Sequence, residues 1–598
     1  MNRHVALTLT LLAAATSARA QQPVIHYTLR VDPADLTGWD VEIRLRNVPD
    51  TFRLAMAAHP EYDDRYWRYV AGLRVESNGG AATITRGDSA VWRVRAPGGS
   101  VVVRYRIALP APAPLPRAAW RPFLTPTGGL IGGPHAFMYV IGAELAPAHV
   151  TLDLPAGWDI ATGLVATADP RTWFASNAEE LMESPVLAGR LRQWHFVVDG
   201  VPHRVVYWPL AEATPFDTTV FVSSIEAMVR EAIALFGRAP YREYTFLFQD
   251  GAYGGLEHPT SVTLGAPSAN LAREPRAVLQ ETAHEFVHTW NLLAIRPAEY
   301  RGVDHRTQPP VAGLWFSEGF TLFYADLLLR RAGQPLADST RIAHIERLMA
   351  RYLASPGHAR FSAEAVSRVA YNATPGALGD YGASTHLQGE LIGAMLDLVV
   401  RDATRGTRSM DDVMRLLFAR AGGARGFEGR DVEHAVETVC TCDVTPLFDA
   451  YVRGAGSLDF NRYLALIGLT TRVASAPAVW NGEPERDLRI FGWEPPGEGG
   501  VRLVITDPGS TWGRAGLHSG DRLLAVDGAP VTTWPDFRAR LQRLRIGDTI
   551  RIDVGRPAGS YQARVTVSGF ERPTVRIDPL RNATPAQRAL GAAWLRGS

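Results

Sequence analysis

Apolar and polar residues alternate with period two through much of residues 21–207. VIHYTLRVD, DVEIRLRNV, AVWRVRAP, SVVVRYRIAL and HVTLDLPAGW are such runs, separated by Gly, Pro and Asp. Period two is the mark of strands half buried on a sheet, so the stretch predicts a β-rich N-terminal domain of sandwich type. The Pro-rich LPAPAPLPRAAWRP within it predicts a rigid loop, not a linker between domains. From residue 208 the apolar positions recur at three and four. DTTVFVSSIEAMVREAIALFG predicts a helix that Gly237 closes. The strand REYTFLFQD comes next. Helices are then predicted at the HEFVH segment, GLWFSEGFTLFYADLLLRRAG, STRIAHIERLMARYLA, HLQGELIGAMLDLVVRDA and SMDDVMRLLFARAG. The expectation is a mainly helical domain over residues 208–466. After TRVASAPAVWNGEPERD the order becomes strands, a short helix, a Gly-Asp turn, a helix and two strands, over 480–572. Residues 573–598 read as a tail with one possible amphipathic helix, PAQRALGAAWLRG. The expected fold class is multidomain α+β.

Composition narrows the function. The chain has 598 residues, too many for one core. Its formal net charge is +1, so no basic field exists to hold nucleic acid. The 62 basic residues are all Arg, which excludes Schiff-base and phosphate-loop lysine chemistry. MNRHVALTLTLLAAATSARA has a weakly basic start, an apolar run and a small-x-small end, so residues 1–20 are expected to be a cleaved signal peptide. No later apolar run approaches the length of a spanning helix. The mature chain is therefore expected in the periplasm or secreted. Its two cysteines, Cys440 and Cys442, are expected to be free or locally paired thiols without a catalytic role.

The chemistry concentrates in ETAHEFVHTWN. Residues four apart share one helix face, so His284 and His288 can offer two imidazole nitrogens to one metal. Glu285 is offset by about 100° around the helix. It flanks such a site without ligating, where a base can take a proton from water. A catalytic zinc needs a third protein ligand and an open position. Glu318, in LWFSEGFTLFYADLLL, is an acid inside an apolar, aromatic helix, costly there unless paired or bound to a cation. Glu281 competes from the HEFVH helix itself, but a third ligand from one helix crowds the ion, which favours Glu318. One Zn2+ per chain on His284, His288 and Glu318, with zinc-activated water and Glu285 as general base, points to amide hydrolysis.

HEFVHTWN followed by LWFSEGFT resembles the gluzincin aminopeptidases, and more closely the bacterial glycyl aminopeptidase family of zinc metallopeptidases. ESPVLAGRL, GGLEHPTSVTL and RSMDDVMRLLF fit the same family. The resemblance implies a β-rich N-terminal domain, a thermolysin-like catalytic domain and a C-terminal PDZ domain. It also implies release of small N-terminal residues, Gly or Ala, from peptides. In GAYGGLEH, Gly254 and Gly255 let a backbone edge approach an extended peptide. The family's Gly-x-x-Glu loop assigns Glu257 the substrate's α-ammonium group, with His258 bordering the pocket. The family usually carries a Tyr-x-Lys-Gly element whose tyrosine stabilises the oxyanion. Here the text is STHLQGELIG. With Gly389 as the matching glycine, His386 stands at the tyrosine position and Gln388 at the lysine position. A histidine N–H can also donate to an oxyanion, so His386 is a catalytic candidate. Tyr381 is another, and weak or altered activity a third possibility.

RAGLHSGDRLLAVDGAPV resembles the heart of a bacterial PDZ domain. Its groove, near Phe491, Gly492 and Trp493, is expected to take a peptide C-terminus as an added strand. Two rivals to the aminopeptidase stay open. One is a zinc endopeptidase whose PDZ domain holds substrates. The other is a catalytically weak peptide-binding protein that keeps its zinc.

Overall fold

The computed structural model describes residues 22–57, 65–112, 114–302, 304–333, 338–371, 374–423, 425–495 and 499–597. The expected signal peptide lies outside them.

The alternating N-terminal text forms three sheets. The largest runs Val165–Ala166, Thr172–Ala175, Ala148–Asp153, Val24–Asp32, Asp35–Arg46, Ser100–Ala108, Val70–Ser77 from edge to edge. Along Val24–Asp32, Ile25, Tyr27, Leu29 and Val31 are buried and the residues between them face outward. This face shares a core with a second sheet that contains Thr51–Met56 and Val91–Arg95. The third sheet presents Leu130, Ala161 and Leu187 to Val206, Trp208 and Leu247 of the next domain.

That next domain starts earlier than residue 208. Its five-stranded sheet runs Arg192–Val198, Val201–Trp208, Tyr244–Gln249, Ser261–Gly265, Gly255–Glu257. The hairpin Arg192–Trp208 alternates like the strands before it, so period alone assigned it to the N-terminal domain. Its pairing decides otherwise: His203 to Trp208 lie parallel to Tyr244 to Gln249. The two strands Tyr244–Gln249 and Ser261–Gly265 are buried along their whole length, as parallel strands covered on both faces must be. Helix Thr218–Phe236 packs on this sheet. Asp217 caps its start by accepting from the Val220 N–H, and Gly237 ends it at φ 85°. The HEFVH helix is Arg276–Val287; helix Leu314–Arg331 packs against it, and helix Thr385–Ala403 packs on Leu314–Arg331 in turn.

The chain leaves this domain through strand Leu469–Pro477 and returns through Glu571–Pro579. The two pair antiparallel over their full length. The ribbon is anchored to helix Asp338–Ala354, where the Ile577 N–H donates to Glu346 Oε1 at 2.8 Å. The third domain hangs between these strands. It has its own sheet, edged by Ile490–Trp493, two helices, and a core around Leu503, Trp512, Phe537 and Ile552.

Residues 585–596, read as part of a tail, form a helix built into the second domain. Thr584 and Gln587 make a reciprocal capping box at its start. Trp594 is fully buried, with the Arg341 guanidinium 4.9 Å from its ring centroid. The amphipathic pattern was visible, but the surfaces that bury it, around Ala465–Ile467 and Arg341, lie far away in sequence. Cys440 and Cys442 are joined in a disulfide across Thr441.

Candidate active site

The HEFVH helix buries Val278, Leu279, Ala283, Phe286 and Val287 on one side. Phe286 anchors that side edge-on to Tyr244 and Trp290. This turns His284 and His288 toward the Leu314–Arg331 helix. There His288 Nε2 lies 3.3 Å and His284 Nε2 3.8 Å from Glu318 Oε2, and the two imidazole nitrogens are 3.2 Å apart. Ligands about 2.0–2.1 Å from a tetrahedral zinc sit about 3.3–3.4 Å from one another, so the three donor atoms fit that ion. Among the described residues these three form the group of His, Cys, Asp or Glu side chains able to share one ion. Glu281 is not in it.

The surroundings are built for this set. His288 Nδ1 donates to the Asn291 carbonyl at 3.0 Å, which leaves Nε2 free to ligate. Asn291 is fully buried, and its Nδ2 donates to the Phe316 and Ser317 carbonyls and to Thr321 Oγ1. One asparagine thus ties the histidine helix to the Glu318 helix. The electrostatics match. Burial alone would raise the Glu318 carboxyl, but His288 and His386 outweigh it and hold it well below the usual range. Burial lowers His284 to about 3, with His288 adding. Burial would also lower His288, yet Glu318 and the neighbouring acids lift it to about 10. One carboxylate between two imidazoles pulls them apart in this way. Burial, then the nearby Glu257 charge, pushes Glu285 well above the ordinary carboxyl range, as suits a proton acceptor of modest acidity.

His386 reaches the same point. Gly319, next to Glu318, packs on Gly389: a Cβ on Gly319 would lie 2.2 Å from the Gly389 backbone, and one on Gly389 only 1.8 Å from the Trp315 carbonyl. Two glycines at the crossing let the helices touch backbone to backbone. His386, one turn before Gly389, is thereby placed with Nε2 3.1 Å from Glu318 Oε2 and its ring stacked 6.3 Å from that of His284. Its side chain stays about half exposed, on the open side of the cluster. Tyr381 is engaged elsewhere, under the Arg360 guanidinium and beside Phe361. A different tyrosine, Tyr371, donates its hydroxyl to Glu318 Oε1. Nothing in its spacing from the motif marked it.

The glycine stretch lies along the cluster. Gly255–Glu257 is the edge strand of the sheet, antiparallel to Ser261–Gly265. A Cβ on Gly255 would fall 2.3 Å from Glu285 Cγ, so this backbone rests on the Glu285 side chain. Gly254, at φ 71°, sits against the Trp120 ring. The Pro-rich loop carrying Trp120 pairs Arg117–Ala118 with Ala252–Tyr253 and so braces the strand from the N-terminal domain. Glu257 lines a cavity of about 90 Å³ with Glu183, Leu256, Met182 and Arg296. His258 is buried and meets Glu183 Oε2 through Nδ1 at 3.1 Å. It braces the N-terminal domain at this cavity.

In the third domain, Phe491 is half exposed, but Gly492 lies under the Trp534 ring: a Cβ there would be 2.4 Å from Trp534 Cε3. Trp493 is partly buried on the same edge strand.

The comparisons with known proteins agree with this geometry. The model of the M61 peptidase N-terminal domain matches residues 26–190, and that of the M61 glycyl aminopeptidase matches residues 277–391, which span both histidines, Glu318 and His386. The chain thus carries an M61 peptidase N-terminal domain and an M61 glycyl aminopeptidase domain. It is a metallopeptidase, and the matched peptidase domains point to peptides as substrates. Among solved structures, an aminopeptidase N family protein from Idiomarina loihiensis superposes over 94% of this M61 chain and 99% of its own, at 21% identity and TM-score 0.74. The whole multidomain fold is therefore shared with a solved structure. An M1 zinc metallopeptidase mutant from Deinococcus radiodurans, bound to a Tyr-Ser-Ala substrate, aligns over 73% of this chain and 94% of its own, at 17% identity and TM-score 0.46. No curated protein matches the sequence. No helix among the described residues is long and apolar enough to cross a membrane.

Proposed function

We propose that this M61 peptidase is an exported aminopeptidase that releases small N-terminal residues, Gly or Ala, from peptides. The observation that carries the reading is the placement of a carboxylate-lined cavity, Glu257 with Glu183, one strand away from the His284–His288–Glu318 cluster. A peptide laid along the Gly255–Glu257 edge puts its first amide near the cluster and its α-ammonium group at Glu257. The N-terminal domain lines the cavity with Glu183 and Met182.

His284, His288 and Glu318 would hold one zinc ion. When bound, zinc supplies a Lewis acid for the scissile carbonyl and the attacking water. Every other task belongs to side chains of the protein. Glu285 accepts the proton of the attacking water and delivers it to the leaving amine. His386 donates from Nε2 to the carbonyl oxygen as negative charge builds there. Glu257 and Glu183 hold the ammonium group, and Gly254–Gly255 keeps the substrate backbone in line. The expected leader at residues 1–20 carries the proposal of export.

We also read the third domain as a PDZ module. Among the described residues, strand Ile490–Trp493 pairs on one side only, with Arg502–Ile505, and helix Trp534–Arg543 lies beside it. A C-terminal peptide added there would have to stack on or displace the Trp534 ring.

The test is hydrolysis of Gly and Ala dipeptide amides with free and N-acetylated termini. The expected result is cleavage of the free forms alone, and a rise in KM of about 10–100-fold in Glu257→Gln, the loss of one desolvated ion pair. Equal cleavage of acetylated and free substrates would sink the aminopeptidase reading in favour of an endopeptidase.

A further inference from the structure

Two side chains touch Glu318 from opposite ends of one segment. Tyr371 donates to Oε1, and His386 Nε2 lies 3.1 Å from Oε2. Between them, residues 374–382 form no regular element. Their own backbone supplies two turn bonds, Ala377 N–H to the Thr374 carbonyl and Gly379 N–H to the Gly376 carbonyl. Such a stretch has little internal reason to hold one conformation.

The third domain supplies the missing constraint. The Ser519 N–H donates to Asp380 Oδ1 at 2.7 Å, and His518 Nδ1 meets Asp380 Oδ2 at 2.6 Å. The Gly382 N–H donates to the Thr506 carbonyl at 2.8 Å. The surfaces also meet at Gly376 and Gly520: a Cβ on the first would be in ordinary contact with the Ser519 carbonyl at 3.4 Å, and one on the second with the Pro375 carbonyl at 3.5 Å. Ser519 is itself fixed, because its Oγ bonds both the N–H and the carbonyl of Ile505.

The grip passes directly to the helix that carries His386. The Gly382 carbonyl accepts from Ser355 Oγ on the catalytic domain, so this residue is clamped from both sides. Two residues on, the Ser384 N–H donates to His358 Nε2 at 2.9 Å. His358 is buried and gives its Nδ1–H to the Tyr352 carbonyl. Ser384 then caps the helix by accepting from the Leu387 N–H. The start of that helix, and with it His386, is set by a residue held between two domains.

We propose that Asp380 is a positioning residue: through Ser519 and His518 it fixes residues 374–382, and so sets His386 against Glu318. The third domain is then a working part of the active site. The inference rests on the aminopeptidase reading for its kinetic consequence, but not for its structural one.

The test uses the full chain as Asp380→Ala, Asp380→Asn and His518→Ala. Steady-state kinetics on a glycyl or alanyl p-nitroanilide are measured beside hydrogen exchange of the peptides spanning 374–388. Asp380→Ala is expected to lower kcat about 10–100-fold with KM within about twofold, the size of effect seen when a supporting shell is removed. Exchange should rise across 376–386 and stay at the parent level in the HEFVH helix, with thermal stability within a few degrees of the parent. His518→Ala, which removes one of the two bonds, should fall between parent and Asp380→Ala. Asn offers an amide oxygen to Ser519 and an N–H to His518, so Asp380→Asn should recover most of the rate. Parent-like kcat and exchange in Asp380→Ala would overturn the proposal, as would an Asn variant as impaired as Ala. If the parent chain itself releases no amino acid, the aminopeptidase reading falls, and the exchange data alone decide whether Asp380 holds the segment.

Discussion

Glu318 is 4% exposed on a helix of Leu, Trp, Phe and Tyr. A carboxylate in such a place needs a cation or several donors, and this cost marked it in sequence as a candidate ligand. The two histidines were legible for a geometric reason, since i and i+4 must share a face. Asn291 and Tyr371 were not, because a hydrogen bond to a ligand's far atom leaves no trace in spacing. His386 was readable as a position and not as a contact: it reaches Glu318 only because Gly319 and Gly389 meet at the helix crossing. Gly255 carries the sharpest consequence at this scale. A methyl group there would lie 2.3 Å from Glu285 Cγ, so one of the two must move. Gly255→Ala is expected to lower kcat about 100-fold through displacement of Glu285, with zinc content unchanged. Kinetics paired with metal analysis check this, and a parent-like rate would separate Gly255 from the base.

The elements of the catalytic domain followed from period and punctuation wherever a helix was long and capped. Thr218–Phe236 with its Asp217 cap and Gly237 stop is the clearest case. Legibility failed where partners were remote. The hairpin Arg192–Trp208 has the same alternation as the N-terminal strands, and only its parallel neighbour assigns it to the other domain. The helix Pro585–Arg596 was recognisable, but not the groove that receives it. That groove makes a stability prediction. Trp594 is fully buried beneath Arg341, itself 2% exposed, and Gly597 just after it accepts from Arg331 Nε of the helix that holds Glu318. Trp594→Ala should destabilise the catalytic domain by about 3–5 kcal/mol, the usual cost of emptying a large aromatic site. Denaturant unfolding reads this directly. A change below about 1 kcal/mol, the level of a surface substitution, would mean the helix is a peripheral addition.

At the scale of the molecule, the domains are interlocked rather than strung in series. The N-terminal domain braces the Gly254–Glu257 strand through Trp120 and Arg117 and brings Glu183 to the cavity. The third domain holds Asp380 and Gly382, and the chain after it returns to the catalytic domain, where the Gly597 carbonyl accepts from Arg331 at the end of the Glu318 helix. Such interlocking is a property of surfaces that no window of sequence contains. The active site is therefore assembled by the whole fold around one group of donors. Its most direct test is anomalous diffraction at the zinc edge, from crystals of the full chain prepared with one equivalent of zinc. The account predicts a single peak about 2.0–2.2 Å from His284 Nε2, His288 Nε2 and a Glu318 oxygen, with Glu285 beside it and not bound. A peak on Glu281 in place of Glu318, or no peak between the two histidines, would contradict it.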